Sequence, residues 1–171
     1  MQEAGYQLRL AVPSDVDTIR RDIRITLANP EGRAQRKRYE DAVQRNEMLV
    51  VAHYDPREHT SGITGFLEWH TKVDGVITIR DAGTTGDEPH LGTLRQLIRE
   101  LLHMFEPPAA SVKVRADQTV WNAVFQQVPG FLPEGREYSR PYWRNIWEWT
   151  PENERLALRS TASGGIRRRR P

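Results

Sequence analysis

A chain of 171 residues, 37% hydrophobic and 28% charged, is long enough for one domain with a real core. It has no cysteine, which excludes disulfides, thiol nucleophiles and zinc–thiolate sites, and no run approaches the roughly 20 apolar residues of a membrane span. The formal charge is +2, but residues 151–171 hold six Arg against Glu152 and Glu154, a surplus of +4 that leaves −2 for residues 1–150; the folded part is not a body built for polyanions.

The N-terminus MQEAGYQLRL lacks a signal-peptide core, so a cytoplasmic protein is expected. Tyr6 to Leu10 alternates as a short strand. Ser14 followed three residues later by Asp17 reads as a helix start with Ser14 as N-cap, and Val16, Ile19 and Ile23 give that helix an apolar stripe. Asn29-Pro30-Glu31-Gly32 breaks the chain. A second, very polar helix is expected over about Arg33 to Arg45, with Tyr39, Ala42 and Val43 as its inner face; its charges make a solvated face or a basic lip over an anionic substrate.

Met48 to Tyr54 is apolar on both faces and reads as a central strand. Gly62 to His70 and Val76 to Asp81 are further strands around a Val73-Asp74-Gly75 turn, and antiparallel pairing of the three is the simplest arrangement. A Gly-containing loop follows Asp81. Leu94, Leu97, Ile98, Leu101, Leu102 and Phe105 then recur at spacings of three and four, an amphipathic helix opened by Gly92 and Thr93. Its first N–H groups have no intrahelical partner and its dipole is positive there, so the terminus can hold an anion. Pro107-Pro108 ends the helix. Ser111 to Arg115 returns as a strand parallel to the one before the loop. Thr119 to Gln127 is a short helix, and Tyr138 to Trp149 is aromatic and strand-like. After Pro151 the composition predicts a disordered basic tail, residues 151–171, beyond a domain of residues 1–150.

This segment order, with Ile77-Thr78-Ile79-Arg80-Asp81 leading through a loop to Leu91-Gly92-Thr93-Leu94, and with Trp121-Asn122-Ala123-Val124-Phe125 before Gly130-Phe131, resembles the GNAT superfamily of N-acetyltransferases over about residues 6–149. The resemblance implies an α/β (α+β) GNAT-like fold: a central, mixed, mostly antiparallel sheet flanked by helices. It implies an acyltransferase moving an acetyl group from acetyl-CoA to an amine acceptor. By position, the N–H groups of Leu91, Gly92, Thr93 and Leu94 would face the cofactor phosphates, the edge at Ile77 and Ile79 would pair with the pantetheine arm, and Asn122 would contact that arm.

The family's loop pattern Gln/Arg-x-x-Gly-x-Gly/Ala falls on Asp87-Glu88-Pro89-His90-Leu91-Gly92, of which the last Gly fits. Asp87 and Glu88 oppose a diphosphate, and Pro89 removes one N–H from the cradle. Acyl transfer to an amine needs a proton acceptor and a donor for the leaving thiolate. Asp81 and Glu68 are the candidate bases. Phe125 stands where the family often has a Tyr acid, which makes Tyr138, Tyr142 and His90 the substitutes. The five His show no close metal-ligand spacing, so no metal is expected. Arg140, Arg144 and the Arg tail among the C-terminal aromatics suggest nucleic acid as a partner, and a looser resemblance to phage Mom-type DNA-modification proteins gives an alternative activity on adenine. A non-catalytic module on the same fold is the third reading.

Overall fold

In the computed structural model, which describes residues 5–33 and 37–167, the doubly apolar run around Val50 becomes β2 (Met48–Asp55), between β1 (Gly5–Leu10) and β3 (Thr60–Thr71). Strand alternation sends Leu49 and Val51 to one face and Met48 and Val50 to the other, and each face is covered. Antiparallel pairing continues from β3 to β4 (Ile77–Thr84), as the hairpin signals predict. The chain then crosses through α3 (Leu91–Phe105) and returns as β5 (Ala110–Arg115), parallel to β4. The order is completed by α4 (Thr119–Gln126), β6 (Phe131–Ser139) and β7 (Tyr142–Trp149), giving one seven-stranded sheet ordered β1-β2-β3-β4-β5-β7-β6.

The predicted apolar face of α3 is buried except at its last residue, Phe105, which stays exposed. Leu94, Leu97, Ile98, Leu101 and Leu102 are buried against Leu49, Leu67 and Trp69, each such side chain contributing about 1.5–3 kcal/mol of burial. On the opposite face, α1 (Asp15–Asp22) and α2 (Tyr39–Gln44) pack Val16, Ile19, Tyr39 and Val43 on Val50 and Phe66.

Four expectations change. Ser14 makes no side-chain cap; Asp15 does the local work, accepting the Val12 N–H at 2.8 Å and a bidentate contact from Arg9. Of the polar helix expected over about Arg33 to Arg45, the described residues show α2, with Lys37 just before it and Tyr39 at its start turned inward to buried carboxylates. The aromatic stretch from Tyr138 is the end of one strand and the whole of the next, folded back at Arg140-Pro141. Residues 151–167, expected to be disordered, form helix α5 (Pro151–Arg167). The start of α5 carries a signal that composition hid: Thr150 Oγ1 accepts the Asn153 N–H, Pro151 occupies the first turn, and Glu152 and Glu154 meet the positive end of the dipole. Residues 168–171, with three of the tail arginines, lie outside the described residues.

Candidate active site

Parallel pairing between β4 and β5 covers only Ile77–Ile79 against Ala110–Val112. Beyond Ile79 the strands part. β5 stays with β7 to Arg115, and β4 stays with β3 to Thr84 through a register shift between Glu68 and Trp69. A shift of this kind bends a strand and increases its twist. The result is a V-shaped opening in the sheet, bounded by Ala82 and Thr84 on one side and Val114 and Arg115 on the other.

The N-terminus of α3 lies beside it, held close to β3 because Gly65 has no side chain; a Cβ there would come within 2.9 Å of Thr93 Cγ2. His90 is the N-cap of α3. Its N–H donates to Thr84 Oγ1 at 2.8 Å, and its Nδ1 accepts the Thr93 N–H at 3.1 Å and meets Thr93 Oγ1 at 2.7 Å. Leu94 N–H is bonded to the His90 carbonyl. Of the four N–H groups predicted to face an anion, those of Leu91 and Gly92 are therefore the open ones. Asp87 and Glu88 are exposed on the loop before. From Gly92 a groove of about 840 Å³ runs along α3, with Arg95 and Arg99 on one wall and Gln127, Trp149 and Glu154 opposite.

On the α1/α2 face, next to the V, two carboxylates sit side by side: Glu68 and Asp81 are cross-strand partners. Asp81 is 0% exposed. Its Oδ1 accepts the N–H groups of Ala28 and Ala82, its Oδ2 accepts the Tyr39 hydroxyl at 2.7 Å, and Lys37 Nζ stands 3.6 Å away. A carboxylate so saturated has the geometry of a structural anchor, which sets Asp81 apart from Glu68, the other candidate base. Glu68, 5% exposed, meets Lys37 Nζ at 2.6 Å. Burial pushes its carboxyl above the ordinary carboxylate value; the Lys37 hydrogen bond and charge pull the other way, and the neighbouring Asp81 charge adds to the rise.

Other predicted site residues fall elsewhere. Ile77 and Ile79 are buried in the core and their strand edge is taken by β5, so that edge cannot pair with a ligand; the edge that emerges into the V belongs to Ala82 and Thr84. Asn122 is saturated: Nδ2 donates to the Arg115 and Gln118 carbonyls, and Oδ1 accepts from Asn145 Nδ2 and Trp147 Nε1. It ties α4 to β5 and β7, and these four bonds use the donors and acceptors that a ligand contact would need. Asn122→Ala is expected to lower stability by about 2 kcal/mol, since it strands two donors, read as a lower urea midpoint with an unchanged m-value. Tyr138 is exposed and tilted against Trp143 at 5.3 Å on the β6–β7 hairpin, whereas Tyr142 reaches the V. Its ring stacks 3.4 Å from the Arg115 guanidinium, and its hydroxyl donates to Glu31 at 3.1 Å. Phe125 is core, edge-on to Phe131. Lys37 and Tyr39 are the residues that sequence reasoning missed. An inward cation in a charge-rich run has no local signature; only the buried carboxylates reveal it.

A sheet ordered β1-β2-β3-β4-β5-β7-β6, opened between two parallel central strands beside a helix N-terminus, defines an N-acetyltransferase-type fold. No family model and no curated protein sequence matches the chain. Solved structures do. A GNAT-family acetyltransferase from Bacillus cereus superposes with a TM-score of 0.67 at 15% identity, over 85% of this chain and 97% of the other. The ribosomal-protein-S18-alanine N-acetyltransferase of Escherichia coli gives 0.62 at 13% identity, over 85% and 94%. A putative acetyltransferase of Salmonella typhimurium, solved with acetyl-CoA, gives 0.59 at 10%, also over 85% and 94%. The chain has the GNAT fold. No helix among the described residues is long and apolar enough to cross a membrane.

Proposed function

We propose that the protein is an N-acyltransferase that uses a CoA thioester, acetyl-CoA in the simplest case, and that Glu68 takes the proton of the acceptor amine. The observation that carries this reading is the V between β4 and β5, flanked on one face by the open end of α3 and on the other by the Glu68–Lys37 pair. The residues present suit the phosphate end of such a cofactor. Leu91 and Gly92 offer N–H groups at a positive helix terminus, and Arg95 and Arg99 line the groove that begins there. When bound, the cofactor supplies an activated acyl group and a thiolate leaving group.

The chain's own residues supply the rest. Glu68 sits in a buried site where burial raises its carboxyl above the ordinary carboxylate value, and Lys37 holds it in place and opposes that rise. Asp81 fixes Tyr39 and Ala28 around it. Tyr142, oriented by Arg115, is the hydroxyl at the V best placed to return a proton to the leaving sulfur; this replaces Tyr138 and His90 in that role. DNA modification, the alternative reading, would draw instead on the exposed Tyr138–Trp143 pair and the arginines near it.

Purified protein incubated with acetyl-CoA and a panel of amines (amino acids, polyamines, peptide N-termini) should release free CoA thiol only with a competent acceptor. The chain has no cysteine, so the protein adds nothing to the background of a thiol reagent. Absence of acceptor-dependent thiol at millimolar acetyl-CoA across the panel overturns the reading.

A further inference from the structure

The V is not open on both sides. The connection after α1 crosses it as a strap. Thr26 bridges to Gly83 of β4, and the Leu27 N–H donates to the Ala82 carbonyl at 2.8 Å. The Ala28 N–H is held by Asp81. Three residues further on the strap is tied to the opposite bank: Glu31 accepts from Arg115 Nη1 and from the Tyr142 hydroxyl, both at 3.1 Å. Residues 26–31 thus run from the β4 side of the opening to its β5–β7 side.

The strap's side chains fit this path. Ile19 and Ile23, just upstream, belong to the core on the α1 face, whereas Leu27 is buried in the core on the α3 face. A side chain can pass from one face of a sheet to the other only where the strands have parted. Gly83 permits the close approach, since a Cβ there would lie 2.7 Å from Ile23 and 3.2 Å from Thr26. The backbone groups of Ala82 in the V are consequently spoken for, the carbonyl by Leu27 and the N–H by the Asp81 carboxylate.

We infer that residues 26–31 form a displaceable gate that occupies the ligand edge of β4, latched by Glu31 on Arg115 and Tyr142, and that an amide-bearing arm of a thioester cofactor gains the V by taking the Ala82 carbonyl from Leu27. This rests on the acyltransferase reading above. The chemistry on that carbonyl is an exchange of like for like: one amide N–H is replaced by another, so opening keeps that hydrogen bond and gives up Leu27 burial, the Thr26–Gly83 bridge, the Ala28 N–H bond to Asp81 and the latch. The strap has room to leave. On its outer side a cleft of about 430 Å³ separates Ile25 and Gly32 from Gly86 and Asp87 of the β4–α3 loop. The latch is exposed and ionic, the kind of contact that adds little to global stability yet biases a local equilibrium. If binding requires the open form, the apparent affinity is reduced by the fraction open, and weakening the latch restores it.

The test measures two things on the full chain: acetyl-CoA affinity by calorimetry, for wild type, Glu31→Ala and Tyr142→Phe, and amide hydrogen exchange over residues 25–31 with and without acetyl-CoA. Tyr142→Phe keeps the ring on Arg115 and removes only the hydroxyl, so it serves if Glu31→Ala folds poorly. The expected result is tighter binding, by about threefold to tenfold for Glu31→Ala and less for Tyr142→Phe, with the Leu27 and Ala28 amides losing protection when acetyl-CoA is added. Binding with those amides still protected and no gain in either variant overturns the gate and leaves the cofactor reading standing. No binding to any of the three proteins at millimolar acetyl-CoA overturns both.

Discussion

Gly92→Glu is expected to abolish acetyl-CoA binding while leaving the protein as stable as before, or slightly more so. The two halves of that outcome have separate causes. A Cβ at Gly92 meets only the His90 ring, 3.3 Å from Cε1, so a side chain can be placed there with a small adjustment of an exposed imidazole. Glu in a first helical turn is favoured over Gly by propensity and by the dipole, each worth roughly 0.5–1 kcal/mol. The same carboxylate lies where the Leu91 and Gly92 N–H groups would receive an anion. Unit charges 4 Å apart at an effective dielectric of about 20 interact by about 4 kcal/mol, so repulsion alone weakens a diphosphate ligand by at least about 100-fold. Calorimetry and a thermal melt on the same sample check both halves. Retained affinity in the variant would place the phosphates somewhere other than the end of α3.

Glu68→Gln is expected to cut turnover by about 100-fold or more, the usual contribution of a positioned base, with acetyl-CoA affinity unchanged because Glu68 lies on the opposite face of the sheet from α3. The pH profile separates a base from a merely structural carboxylate. Burial raises the Glu68 carboxyl above its ordinary 4.5, so wild-type turnover should climb with pH through that raised value, and the climb should vanish in the variant. Stability moves the other way. A carboxyl that holds its proton more tightly folded than unfolded contributes stability that is complete below about 4.5 and is lost as pH rises through the folded value. Glu68→Gln should flatten that fall in a denaturation series. A variant with the wild-type pH–rate limb would assign the base elsewhere.

Where the sequence was legible, it was legible through periodicity. The apolar stripe of α3, the doubly apolar β2, the turn at Asp74-Gly75 and the parallel return of β5 after a crossover helix each depend on residues close in the chain, and together they give the order of the sheet from β2 to β5. The Leu91-Gly92 helix start was legible for the same reason. Thr150-Pro151-Glu152 was equally readable as a helix start, but the run of small and basic residues beyond it outweighed the cap. What misled the site assignment was positional matching. Ile77 and Ile79 match the strand that should pair with a ligand, yet β5 takes their edge and the V begins three residues later. Asn122 matches a ligand contact, yet four hydrogen bonds exhaust it.

The sequence by itself determined the central elements from β2 to β5, their order and the start of α3, because each rests on local pattern and local backbone chemistry. Tertiary structure decided which carboxylate is available and whether the site is open. Asp81 and Glu68 are indistinguishable as letters. They differ because Ala28 and Tyr39, 53 and 42 residues upstream of Asp81, spend their donors on Asp81, while Lys37 makes its close ion pair with the buried Glu68. The strap across the V likewise depends on Leu27 finding Ala82 and on Glu31 finding Arg115, 84 residues away. Such contacts are fixed by the opening of the sheet and by which polar groups burial forces to pair, and neither quantity exists until the strands have come together.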